Sequence, residues 1–146
     1  MADILTIKET LENGSFLGQG WAFPPTFVKG SDSVVLVKEV EDIRQSLGIL
    51  LGTSLGERVM RSDFGCNLDS KIFDPMEPAF NTLITEIIRR AILLYEPRVE
   101  LTSVDLFVDN LEGRVDITVN FFVVSNNTRS NIVYPYYLNE GTNVEQ

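Results

Sequence analysis

The chain has no histidine among its 146 residues, and its only cysteine is Cys66. Without imidazole, Ser-His-Asp and Cys-His catalysis, His-ligated metals and a pH switch near neutrality are excluded. A single cysteine excludes an internal disulfide and a Cys-rich zinc site. Positive charge is also scarce. The 12 Lys and Arg stand against 21 Asp and Glu, for a net charge of −9. Nucleic acids are bound by neutralising phosphates, so that class of partner is disfavoured. Long apolar runs are missing too: AILLY and FFVV fall far short of the ~20 residues that span a bilayer. MADILTIKET lacks the basic start and apolar stretch of a secretory signal, so folding in the cytoplasm is expected.

What remains is enough for a core. Apolar residues make up 44% of the chain, too many for a disordered protein. A chain of this length suggests one domain that buries roughly 68–70% of its unfolded surface. Residues 1–15 show no sustained periodicity and are expected to be mobile or tied to a partner. The single domain is assigned to residues 16–142, with 143–146 as a tail. In FLGQGWAFPPTFV, Pro24 and Pro25 lack amide donors and bias their predecessors away from helix. The rings of Phe16, Trp21, Phe23 and Phe27 therefore sit on a segment that is neither helix nor central strand. Either the segment folds back so that Trp21, Phe23 and Phe27 cover the domain's own apolar layer, or it presents them to another chain.

SVVLV reads as a strand. Val40, Ile43, Leu47, Leu50 and Leu51 form one helical stripe, with acids near its start and Gly52 as a stop. RVMR reads as a short strand before a turn at SDFGC. The strongest helix carries Phe80, Leu83, Ile84, Ile87, Ile88, Ala91, Leu94 and Tyr95 on its core stripe. Its start is either Asp74-Pro75 or Glu77-Pro78, and Pro97 forces its end. In VELTSVDLFV the apolar parity switches between Leu101 and Val104, as a β-bulge would produce. Val115, Ile117, Val119, Phe121 and Val123 alternate cleanly. DNLEG is a hairpin loop, SNNTRSN a polar turn, and IVYPYYL an edge strand by virtue of Pro135. The fold class is α+β, with two helices on one face of a mostly antiparallel sheet.

Three constellations could carry function. Glu57, Glu96 and Asp63 could supply the two carboxylates of a glycosidase, which needs no histidine. A general acid needs a raised pKa, however, and Arg58 and Arg98 beside the two glutamates oppose that. Glu96-Pro97-Arg98 places an acid at a helix C-terminus, the wrong end for the dipole, ahead of a stiff extended step. Its two unlike charges either pair within the fold, for instance Glu96 with Arg58 or Arg61, or face outward to a neighbour. In LGERVMRSDFGC, Arg58 and Arg61 form an arginine rim; residues 57–98 hold five of the chain's arginines. The glycines fit neither a Walker loop nor a dinucleotide fingerprint, and Asn126-Asn127-Thr128 is a chance sequon.

Taken in order, FLGQGWAFPPTF, EDIRQSLGILLGT, GERVMRSDFGC, AILLYEPR and VYPYYL resemble the baseplate wedge proteins of contractile tails, some of which carry a lysozyme-like name. Such proteins occur in phages, type VI secretion systems and extracellular injection particles. The resemblance spans residues 16–142; Ser62 stands where many members have proline. It implies a structural protein with no catalytic residue, cofactor or metal, and a fold similar to the sheath subunit's core domain. The implied place is a sixfold ring joining the wedge to the first sheath ring. The implied partners are larger wedge proteins, met at Glu96, Pro97 and Arg98, and a sheath subunit joined by strand addition at a sheet edge. The peptidoglycan glycosidase is the rival reading.

Overall fold

The computed structural model describes residues 16–30, 33–68, 71, 78–109 and 111–137. The expectations for residues 1–15 and 143–146, and for a helix start at Asp74-Pro75, lie outside these residues. The chain divides into two compact units, Met1–Gln45 and Ser46–Gln146.

In the first unit, β1 (Gln19–Trp21) pairs antiparallel with β4 (Leu36–Lys38), and β2 (Phe27–Val28) with β3 (Ser33–Val34). The expected strand SVVLV is thus two. It divides at Val35, whose amide donates to Thr26 O and whose carbonyl accepts from Ala22 N. Strand β4 runs straight into helix α1 (Glu39–Gly52), with Glu39 making the turn in the left-handed region at φ 56°. The aromatic segment is fastened by its backbone: the Phe23 amide donates to Gln45 Oε1 at 2.8 Å. Its rings are not buried. Phe16, Trp21, Phe23 and Phe27 are all exposed, and Trp21 and Phe27 meet edge to face at 6.4 Å. Ladders of two or three residues flanking Pro24-Pro25 give the rings little cover beyond one another.

The second unit is a helix-on-sheet layer. Strands β5 (Val99–Asp109), β6 (Arg114–Val123) and β7 (Thr128–Tyr137) form an antiparallel sheet in that order. The register shifts between Leu101 and Ser103, where the parity switch placed a bulge. Val115, Ile117, Val119, Phe121 and Val123 are buried on one face. Leu47, Leu50 and Leu51 of α1 are buried, as are Phe80, Ile84, Ile88 and Ile92 of α2 (Pro78–Tyr95). Helix α2 packs along β5. Helix α1 comes close to β7. A side chain at Gly48 would touch Ile132, and one at Gly52 would press on the Tyr134 hydroxyl. The two glycines, one turn apart, let the helix lie close on the sheet.

Further expectations change. SNNTRSN is a turn only as far as Asn127, because β7 already begins at Thr128, which pairs with Val123. RVMR is not a strand: Arg61 N donates to Arg58 O across a turn, and Met60 has a left-handed φ of 63°. The α2 stripe is also too wide, since Leu83 and Leu94 are exposed. A helix on one sheet buries one face, and these two lie on its shoulder.

Candidate functional site

Two neighbouring features form the site: the helix-to-strand corner and the loop that precedes it in sequence. Pro97 cannot continue α2, and the Glu96 amide closes the last turn onto Ile92 O at 2.9 Å. Val99 N then donates to Glu96 O, and Arg98 O accepts from Val124 N at 3.0 Å. One corner therefore ties together the end of α2, the start of β5 and the turn after β6.

Glu96 is the one buried charged residue among those described, 2% exposed. The stiff extended step expected here is instead a turn: Val99 N closes onto Glu96 O with Pro97 second in the turn, and the bend brings Arg98 back onto Glu96. Its Nε donates to Glu96 Oε1 at 2.6 Å and its Nη2 to Oε2 at 2.8 Å, a bidentate pair. Burial is the largest single influence on the Glu96 carboxyl and raises its pKa. Hydrogen bonds from Arg98 and Ser46, the Arg98 charge and the Arg98 amide together outweigh it, leaving the pKa below its usual value. Neither Arg58 nor Arg61 serves as its partner, and Glu96 does not face outward. Only the Arg98 side chain reaches the surface, at 31% exposure.

The loop is a set of nested turns. Gly56 N donates to Ser62 O, Ser54 N to the Glu57 carboxylate, and Cys66 N to Thr53 O. Gly65, at φ 121°, lies so close to the Thr53 carbonyl that no side chain fits there. Cys66 is buried, which pushes its thiol up to about 12, so it is unreactive. Tyr95, the last residue of α2, clamps the loop. Its Oη lies 2.6 Å from Asp63 O and 2.9 Å from Asp63 Oδ2, with its proton shared between them. That bond, then the Asp63 amide and Arg61, lower the Asp63 pKa; burial and Asp63 raise that of Tyr95. Arg61 pairs with Asp63 at 3.3 Å, and Arg58 stacks over Phe64 at 4.7 Å. Phe64 in turn meets Tyr95 edge to face at 5.1 Å.

Between loop and helix runs an open groove of about 790 Å³, lined by Leu55, Asp63, Ile87, Arg90, Leu94 and Tyr95 among others. Sequence reasoning missed Tyr95 as a clamp and missed the groove. The over-wide apolar stripe of α2 was the available signal. Among the described residues, no three His, Cys, Asp or Glu side chains could hold a metal, and no helix is long and apolar enough to cross a membrane.

The buried pair makes a pH-dependent contribution. Because the folded pKa of Glu96 is depressed, its stabilisation is complete above the unfolded carboxyl value of about 4.3 and is lost as pH falls through the folded value. Arg98→Ala leaves a buried, unpaired carboxylate and is expected to cost about 3 kcal/mol at neutral pH, the lower end for a broken buried pair because Arg98 is partly exposed. The gap to wild type should narrow in acid, where the variant's Glu96 is already protonated. Urea melts between neutrality and pH 4 measure it; a gap independent of pH would contradict the assignment.

The family model for baseplate wedge protein gp25 matches residues 37–128. Baseplate protein W of Escherichia phage P2 is 41% identical over 83 residues, covering 57% of this chain and 71% of that protein. A crystal structure of a Geobacter sulfurreducens protein called a tail lysozyme is similar at TM-score 0.67 and 44% identity, over 75% of this chain and 99% of that one. A chain in the sixfold-symmetrised cryo-EM baseplate of the anti-feeding prophage is similar at TM-score 0.60 and 31% identity, over 84% and 87%. With more than half of its length matched, the chain belongs to the gp25 family of baseplate wedge proteins.

Proposed function

We propose that this chain is a structural wedge subunit of the baseplate of a contractile, tail-like particle, present as a sixfold ring and without catalytic activity. The observation that carries the reading is the family match together with the likeness to a chain of an assembled baseplate. On this reading the subunit is assembled in the cytoplasm, meets larger wedge proteins at the Glu96-Pro97-Arg98 corner, and starts the sheath.

The buried pair gives the corner a mechanism. Glu96 holds the guanidinium of Arg98 from inside, while Pro97 and part of Arg98 remain at the surface. A partner then meets a cation already fixed in direction, which favours one orientation over raw affinity. Arg58 and Arg61 stand on the adjoining loop as a rim, and the exposed Trp21, Phe23 and Phe27 offer a second surface to neighbouring chains. Replacing both corner charges by neutral residues of similar size, Glu96→Gln with Arg98→Met, should leave a folded protein, because a buried pair is often replaceable. It should abolish incorporation into particles; normal, contracting particles would show that the corner is not the docking point.

Sheath initiation by strand addition has a candidate edge in β7, the outer strand of the sheet. Pro135 lacks an amide donor, so its position suits a residue whose amide faces away from β6, and Val133 shares that parity. Val133→Pro should therefore keep the monomer's ladder but stop co-assembly with sheath subunits in a pull-down. Unchanged co-assembly would exclude this edge.

The lysozyme-like name of one structural relative raises the enzymatic alternative. A depressed Glu96 pKa opposes a general acid, which must be protonated near neutrality. Purified protein incubated with peptidoglycan sacculi should release no soluble sugar fragments. Release that disappears in Glu96→Gln or Glu57→Gln would establish the enzyme instead.

A further inference from the structure

We propose that the groove between the loop and α2 receives an acidic, amphipathic helix of another chain, at a contact separate from the corner. Its floor is apolar. Ile87, Ala91 and Leu94 line it from α2 together with Arg90, Leu55 stands on the loop side, and the exposed Leu83 continues the same row of the helix beyond the groove. Leu83 and Leu94 are large side chains left open on a helix whose other face is already packed on the sheet. Leu94 is 59% exposed, and Met60, on the loop at a left-handed φ, is 96% exposed.

Charge selects the occupant. The chain as a whole is acidic, yet the charge in the groove without an ion-pair partner among the described residues is Arg90, and on the adjoining loop the Glu57 carboxylate is taken up by the Ser54 amide. The groove's own acid, Asp63, is already engaged by Tyr95 and Arg61. Among the described residues, neither Arg90 in the groove nor Arg58 on the adjoining loop has a carboxylate partner. An apolar stripe flanked by Asp or Glu matches apolar floor and arginine together. The walls select helix over strand. Among the described residues the walls are a helix and a loop with no strand edge, so the occupant must satisfy its own backbone.

The proposal rests on the assembly reading only for where the occupant is found. A photo-cross-linking residue placed at Leu94, with one at Leu111 on the exposed β5–β6 hairpin as control, is carried into particles from the source cells. Adducts are then sequenced by mass spectrometry. The expected product joins position 94, and not position 111, to an acidic segment of another protein with apolar residues at helical spacing. Arg90→Glu should lower its yield about tenfold, the effect of losing one charge-assisted contact. Arg89→Glu, changed one residue away, should not. An adduct to a basic or extended segment, to a second copy of this chain, or to nothing overturns the groove proposal, as does indifference to Arg90→Glu. Particles that hold the chain but leave position 94 bare overturn this proposal alone. Particles that lack the chain overturn the assembly reading with it.

Discussion

A carboxylate buried at the wrong end of a helix dipole is the constraint around which the corner is built. Glu96 loses water and faces the carbonyl end of α2, and both effects disfavour its charge. Its charge persists because a guanidinium two residues away binds both oxygens, with Ser46 and the Arg98 amide adding to it. Proline makes that geometry local: with φ fixed at the second position of the Glu96–Val99 turn, Arg98 folds back onto Glu96 without a long-range folding event. Such a pair adds little net stability over apolar residues of the same size. What it does is fix direction. The Arg98 backbone carbonyl also accepts from Val124, so the orientation of the guanidinium is tied to the sheet and to the helix end together.

The loop before Cys66 extends this rigidity by one residue along α2. Tyr95 and Glu96 are adjacent, but one clamps the loop and the other anchors the corner. Arg58 lies on Phe64 and Arg61 on Asp63, so both arginines are held by contacts within the loop and not by Glu96. Stacked and paired guanidiniums lose less freedom on meeting a partner than free ones do. Gly65 is the hinge-pin of this arrangement, since only a residue without a side chain can sit against the Thr53 carbonyl.

The elements legible in the sequence are those whose pattern is set by one packed layer. β6 alternates because one face is buried, the bulge in β5 shows as a parity switch, and α2 stops where Pro97 makes it stop. Neither the Glu96–Arg98 bond nor its burial was legible: an extended step sets the two charges side by side without joining them, the turn at Pro97 closes them on each other, and desolvation depends on what covers the corner and not on the tripeptide. RVMR misled for a related reason. Alternation over four residues is shared by strands and by tight turns, and the left-handed Met60 carries no signature in its own identity. The rings of Trp21, Phe23 and Phe27 were too large for a rule that buries aromatics by default, since two short ladders cannot enclose them. Leu83 and Leu94 exceeded what one helix face can bury; excess apolar width on a helix is therefore a surface signal as much as a core one.

Charge distribution joins these features. Seven acids and two bases lie in residues 99–146, whereas residues 57–98 set seven acids against six bases, five of them Arg. At long range the chain repels acidic partners, and at physiological salt that repulsion fades beyond about 8 Å. Within that range an acidic partner is attracted only where arginine predominates, beside the corner and along the groove. Net charge and local charge of opposite sign thus act as a filter: they penalise most approaches and leave one favourable, with the arginines already fixed by Glu96, Asp63 and Phe64. On the proposed reading of a subunit repeated around a ring, where one misoriented copy would block closure, such selectivity matters more than tight binding of any single contact.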